Sequence, residues 1–169
     1  VIGLFYGDYF ARAGKQGGAW MSSFRDQERV NGNVLPIIIN NCNFSKSDPS
    51  LLSFDDAVTL FHEFGHALHG LASNVTYPSV SGTSVARDFV EFPSQLLEHW
   101  LDTPEVLNKF AVNAKGEPMP KALIAKVKKA EAFNKGFSTV EYLSSALIDM
   151  KLHLAGDKDI DVAAFERDT

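Results

Sequence analysis

Hydrophobic positions change their spacing near residue 50. Before it, apolar residues come in short runs rich in β-branched and aromatic side chains: residues 1–10, residues 19–24 after a Gly-rich turn, and residues 34–44 around Pro36-Ile37-Ile38-Ile39. Such runs predict three strands. Pro36 either starts the third strand or puts it at a sheet edge, because proline has no N–H to give a ladder. After Asp48-Pro49-Ser50 the spacing becomes helical. Ser53, with Asp56 three residues on, reads as a capping box, and the periodicity then runs to about residue 71. A loop rich in Ser, Asn, Gly, Pro and Thr covers 72–84. A second helix is predicted over 87–101, with Pro93 in its first turns.

The remainder predicts helices. Thr103-Pro104 is a cap followed by proline at the first helical position, and Met119-Pro120 opens a basic helix to about residue 134. Ser138 and Glu141 form another capping-box pattern, leading a helix to about 154, and 165–169 reads as the first turn of a helix after Asp161. The fold class expected is mainly α with a small N-terminal β-sheet (α+β). One domain over 1–169 is expected, with a sheet region at 1–50 and a helical region at 51–169.

Composition narrows the functional classes. The chain has 169 residues, enough for a sizeable core in one domain. A net charge of −5 argues against nucleic acid as a partner, since phosphate binding needs a basic surface. No apolar run is long enough to span a bilayer. The single cysteine, Cys42, excludes an internal disulfide and fits a reducing compartment, so the cytoplasm is the expected location. The chain opens without Met inside an apolar run, and both ends are expected to be cut from a longer polypeptide.

His62-Glu63-Phe64-Gly65-His66 is an HExxH pattern inside the first predicted helix. Residues four apart on a helix share a face, so both imidazoles can address one ion. Glu63 sits beside His62, within reach of the attacking water without being a ligand. With five His in 169 residues, chance places this pattern in roughly one such chain in a hundred. The competing reading is two core histidines bonded to backbone carbonyls. Apolar neighbours Leu60, Phe61, Phe64, Ala67 and Leu68 suit a buried active-site helix.

Catalytic zinc takes three protein ligands and keeps one position open. His69 lies seven residues beyond His62, about 10 Å along the helix axis, too far for all three to share an ion. A hydrogen-bonding or packing role suits it better. Asp88 and Glu91 lie three apart on the next predicted helix, 25 residues of chain allow an antiparallel return, and Glu98 is a further candidate. Spacing favours Glu91 over Asp88 only modestly.

The stretch from Phe61 to Gly70 (FHEFGHALHG) resembles the motif of the thimet-oligopeptidase (M3) family of zinc metallopeptidases. So do Ser81-Gly82-Thr83, the DFVEFPSQ stretch from Asp88 to Gln95, and Glu98-His99-Trp100. Further matches are GDYFARAGK from Gly7 to Lys15, GGAWM from Gly17 to Met21, and FNKGFSTVEY from Phe133 to Tyr142. The resemblance implies a zincin-like catalytic core within a larger helical enzyme, binding one Zn2+ per chain through His62, His66 and Glu91. It implies Glu63 as general base and short peptides as substrates. RDFVEFPSQ and GGAWM resemble the peptidyl-dipeptidase branch, which removes C-terminal dipeptides. An oligopeptidase cutting inside peptides and a non-catalytic zinc-binding module are the alternatives. A His2Glu set also suits Co or Mn.

Ligating imidazoles donate their other N–H to a carboxylate or carbonyl, and Asp88 is the candidate orienting group. The strand at 34–44 is expected to offer an edge to an extended peptide. In the family the donors to the tetrahedral oxyanion lie downstream of the matched region, so these 169 residues are expected to bind zinc but to be weakly active alone. The Gly-rich 14–18 stretch lacks Walker spacing, and the basic run 121–129 reads as a solvated helix face.

Overall fold

The computed structural model describes residues 1–168. Three strands form one sheet in the order β1-β3-β2: β1 Leu4–Phe10, β2 Trp20–Arg25 and β3 Ile37–Phe44. β1 runs parallel to β3, with Leu4 opposite Ile37 and Asp8 opposite Asn41. β2 runs antiparallel to it, with Trp20 opposite Asn41 and Met21 opposite Asn40. All three predicted strands form, and β3 starts directly after Pro36, where no N–H is needed. The expected peptide-binding edge on β3 does not exist. β3 is the central strand, its backbone is used on both sides, and the sheet edges belong to β1 and β2.

One lysine ties the first turn to the sheet. The ladder between β1 and β3 slips between Asp8 and Phe10, leaving carbonyls to satisfy. The Lys15 ammonium, 5% exposed, donates to the carbonyls of Asp8 (3.0 Å), Phe10 (2.9 Å) and Cys42 (2.5 Å). It also faces the Asp8 carboxylate at 3.2 Å, which Arg12 grips with two hydrogen bonds of 2.7 and 2.9 Å. The Gly-rich turn has a structural duty too: Asn43 Nδ2 donates to the carbonyls of Gln16 and Gly18.

Helix α1, Phe54–Leu71, starts as predicted. Asp56 N donates to Ser53 Oγ and Ser53 N to Asp56 Oδ2, both at 3.0 Å. The helix lies on the sheet at Gly70, where a Cβ would come within 2.7 Å of Ile38 Cδ1. Helix α2, Phe92–Leu101, is shorter than predicted. Were it to begin at 87, Pro93 would sit in its interior, with no N–H for the Phe89 carbonyl and its ring against it. Residues 87–91 are turns instead, so Asp88 is not on the helix and Glu91 is its N-cap residue.

Between them, the loop after α1 returns onto that helix. Ser73 Oγ accepts from Gly82 N at 3.0 Å and pairs with Ser81 Oγ at 3.0 Å. Gly82 has φ +54°, and a Cβ there would approach Gly70 Cα to 3.2 Å, so glycine serves both the turn and the contact. Helix α3, Pro104–Phe110, starts at Pro104 as predicted, with Thr103 at the N-cap position but its hydroxyl donated to the Trp100 carbonyl rather than capping the helix.

Contacts divide the chain into two compact units, Val1–Pro118 and one from Met119 onward. The first holds the sheet and α1–α3. The second holds α4 Lys121–Glu131, α5 Lys135–Leu154 and α6 Val162–Asp168, none with a buried residue. α5 starts earlier than predicted, so Ser138 and Glu141 lie inside it and form no capping box. Asn134, at φ 54°, makes the break before it. Asp161 Oδ1 accepts from Ala164 N at the start of α6; Thr169 lies outside the described residues. No described helix is long and apolar enough to cross a membrane.

The Arg12 hydrogen bonds hold the Asp8 carboxyl well below the ordinary range, at about 2. A depressed carboxyl pKa contributes stability that is complete above the unfolded value near 4 and is lost as pH falls toward 2. The urea midpoint of the native protein is therefore expected to drop more steeply between pH 4 and pH 2 than that of Asp8→Asn. Parallel curves would remove Asp8 from the acid limb.

Candidate metal centre

Three donor atoms converge where α1 meets α2. His62 and His66, one turn apart on α1, present their rings edge to face with centroids 4.9 Å apart. Glu91 Oε2 lies 3.2 Å from His62 Nε2 and 3.1 Å from His66 Nε2. These three residues form a group able to hold a metal, their donor atoms all within 4.8 Å of one another. Glu63 points into the same cleft, which Trp20 and Met21 of β2, Thr83 and Val90 help to line.

The convergence depends on a glycine between the two histidines. A Cβ at Gly65 would lie 2.5 Å from Ser94 Cα and 2.7 Å from the Pro93 carbonyl oxygen. α1 and α2 therefore touch backbone to backbone. Ser94, fully buried there, holds Glu91: its hydroxyl reaches Oε2 at 2.8 Å and the Glu91 carbonyl at 2.9 Å.

The carboxylate bonded to His62 is that of Glu98, not Asp88. Glu98 Oε1 accepts from His62 Nδ1 at 2.6 Å. Asp88 is exposed in the turn before α2 and has no hydrogen bond to either imidazole. Glu98 is two turns along the helix from Glu91, so both carboxylates share the α2 face toward His62. That spacing was the signal for an orienting role; as a ligand Glu98 is out of the converging group. His69 is out of it as well, its ring packed 6.1 Å from that of Phe89.

Electrostatics distinguish the residues of the cluster. Burial pushes the Glu63 carboxyl up, the nearby Glu91 charge adds to this, and His62 works against it. A raised carboxyl pKa suits a group that must take up and return a proton. Burial pushes His66 down, favouring the neutral imidazole that ligation requires. For Glu91 burial acts upward, but the Ser94 hydroxyl and the two imidazoles outweigh it and bring the carboxyl below its ordinary value.

The donor set fits a divalent cation on local grounds. With the Nδ1–H of His62 donated to Glu98, its Nε2 carries a lone pair facing the anionic Glu91 Oε2 at 3.2 Å. Such a contact is favourable only when a proton or a cation lies between the atoms.

Residues 1–165 match Peptidase family M3. The chain is 47% identical over 98% of its length to a dipeptidyl carboxypeptidase of Salmonella typhimurium, and equally so to one of Escherichia coli. It is 39% identical over 89% of its length to oligopeptidase A of Salmonella typhimurium. It spans about a quarter of the length of these curated relatives: 25% of the first two and 23% of the third.

Two substitutions test the geometry. Gly65→Ala pushes against backbone that cannot yield, so a loss of about 1–3 kcal/mol in stability is expected. Metal affinity, measured by chelator competition, is expected to fall by roughly tenfold or more as Glu91 is displaced. Glu98→Gln is expected to weaken metal binding by about 10–100-fold with the fold intact by circular dichroism. Native-like affinity in Glu98→Gln would make its contact with His62 incidental.

Proposed function

We propose that this chain, which belongs to Peptidase family M3, supplies the zinc-binding and water-activating core of a peptidase that releases dipeptides from the C-termini of short peptides. One observation carries the reading: two imidazoles and one carboxylate oxygen converge beside a buried glutamate. A purely structural zinc site has no use for Glu63 and closes with four protein ligands.

Zinc in this place would polarise the scissile carbonyl and lower the pKa of water. His62, His66 and Glu91 would hold it, with Glu98 fixing the His62 tautomer and Ser94 fixing Glu91. Glu63 takes the proton of the attacking water and returns it to the leaving amine. Burial raises its pKa, which makes it a better proton acceptor than an exposed glutamate. β2 runs along the cleft through Trp20 and Met21, so it, rather than β3, is the strand on which an extended peptide would add.

The dipeptide product is supported by the two relatives that are dipeptidyl carboxypeptidases, and internal cleavage by the more distant oligopeptidase A. We assign the whole of 1–169 to the catalytic core, with all the site residues within Val1–Pro118. The single buried thiol, held high at about 11 mainly by burial, is compatible with the cytoplasm as location.

In the complete protein, Glu63→Gln is expected to keep one equivalent of zinc by elemental analysis while hydrolysis falls about 10²–10⁴-fold. Mass spectrometry of products from a peptide with a free C-terminus decides the cleavage mode. Dipeptides support the proposal and internal fragments the oligopeptidase reading. Undiminished hydrolysis in the variant would remove Glu63 from the mechanism.

A further inference from the structure

Asn40 is the most awkward residue of the sheet. It occupies the middle of the central strand at 0% exposure, and neither its Nδ2 nor its Oδ1 has a hydrogen-bond partner among the described residues. The preceding positions are Ile37, Ile38 and Ile39, and an apolar residue would fill the place at no polar cost. Buried amides are kept where something satisfies them.

The surroundings show what that is. Alternation along β3 puts Ile38, Asn40 and Cys42 on one face. Ile38 meets α1 at Gly70, so that face is the one toward the helix. At the other end the Cys42 thiol lies within electrostatic reach of the Glu63 carboxyl. Asn40 therefore falls opposite the turn between Glu63 and Gly70. The residues Glu63, His66, Ala67 and Gly70 stand at i, i+3, i+4 and i+7, a single helical face. Ala67, fully buried, offers only a methyl there.

Two more buried polar atoms without partners belong to that same face: Glu63 Oε2 and His66 Nδ1. The four orphans are complementary. Asn40 Nδ2 and His66 Nδ1–H donate; Asn40 Oδ1 and Glu63 Oε2 accept. An internal water needs two to four such partners and uses both kinds. The place is walled on the sheet side. Met21 stands opposite Asn40 on β2, and Gly7 opposite it on β1, with the Tyr9 ring folded over that glycine.

We propose that a buried water between β3 and α1 links the Asn40 amide to His66 Nδ1 and Glu63 Oε2, making Asn40 a positioning residue for a ligand and for the base. His62 is then oriented by the Glu98 carboxylate, and His66 by Asn40 through the water. The proposal rests on the metallopeptidase reading above for its functional meaning, but not for the presence of the water.

The test has two parts. A high-resolution crystal structure of the zinc-loaded protein is expected to show an ordered water within hydrogen-bond distance of the Asn40 amide and of His66 Nδ1 or Glu63 Oε2. A dry gap, or direct bonds from Asn40 to other groups, overturns the proposal. Asn40→Leu, similar in size and without polar atoms, is expected to bind zinc about 10–100-fold more weakly than the native protein by chelator competition. Asn40→Ser, which leaves space for water, is expected to recover most of that loss. A merely structural asparagine would change the unfolding midpoint and leave zinc affinity alone, which also overturns it. If Asn40→Leu does not fold, the crystal structure and Asn40→Ser still decide. Failure of the native protein to bind zinc would instead count against the metal-centre reading, and the water's density would be judged on its own.

Discussion

The site depends on how closely two helices can approach. Helix α1 carries the two imidazoles and α2 is preceded by the carboxylate, and the two sets meet only because Gly65 lets α2 rest its backbone on α1 at Ser94. A methyl group at Gly65 would occupy space already taken by main-chain atoms 2.5 Å away. Glycine within a helix costs about 1 kcal/mol against alanine, so its presence between His62 and His66 runs against local propensity. That cost is offset by the contact that brings Glu91 to the histidines. Ser94 completes the arrangement. This small residue, on which Gly65 rests, also holds the Glu91 carboxylate through its hydroxyl.

The other side of α1 shows the same economy of size. Gly70 lies against Ile38, with Gly82 resting on it, and Ala67 lies fully buried. The helix is thus clamped between sheet, loop and α2 by residues with little or no side chain. This brings the cleft close to β2 and Thr83 and holds the HExxH turn rigidly, since packed backbone has few alternative positions.

Much of this was legible before any coordinates. The three strands follow from β-branched runs and the start of α1 from Ser53 and Asp56, because both signals are local. His62, Glu63 and His66 follow from helical spacing alone. Glu91 needed the family resemblance, and the geometry then placed its oxygen 3.1 and 3.2 Å from the two imidazoles. What misled was tertiary or competing. The periodicity of 87–92 predicts a helix from 87, but proline is tolerated only in a first turn, so α2 begins at Phe92. Asp88, the expected orienting group, lies in the turns before α2, whereas Glu98, on α2, reaches His62 Nδ1. The edge role of β3 failed because strand order is not written in the strand itself. Gly65 and Ser94 carry no signal beyond their smallness, and only the crossing of the helices shows what it serves.

Charge gives the last constraint. Three carboxylates, Glu63, Glu91 and Glu98, surround two imidazoles, of which His66 is held toward neutrality by burial. Without a cation the cluster opposes itself: Glu91 raises Glu63, and the His62 lone pair faces the Glu91 oxygen. The fold nevertheless positions all these groups through contacts that need no ion, namely Gly65 on Ser94, Gly70 on Ile38 and Ser94 on Glu91. Packing therefore holds the carboxylates beside the imidazoles without an ion, and a cation between the donors would relieve the repulsion between Glu63 and Glu91. Its binding returns as folding free energy what the unfavourable cluster withholds. Preorganisation and metal affinity are in this sense one property: the more firmly the small residues fix the helices, the less the ligands must move when the ion arrives.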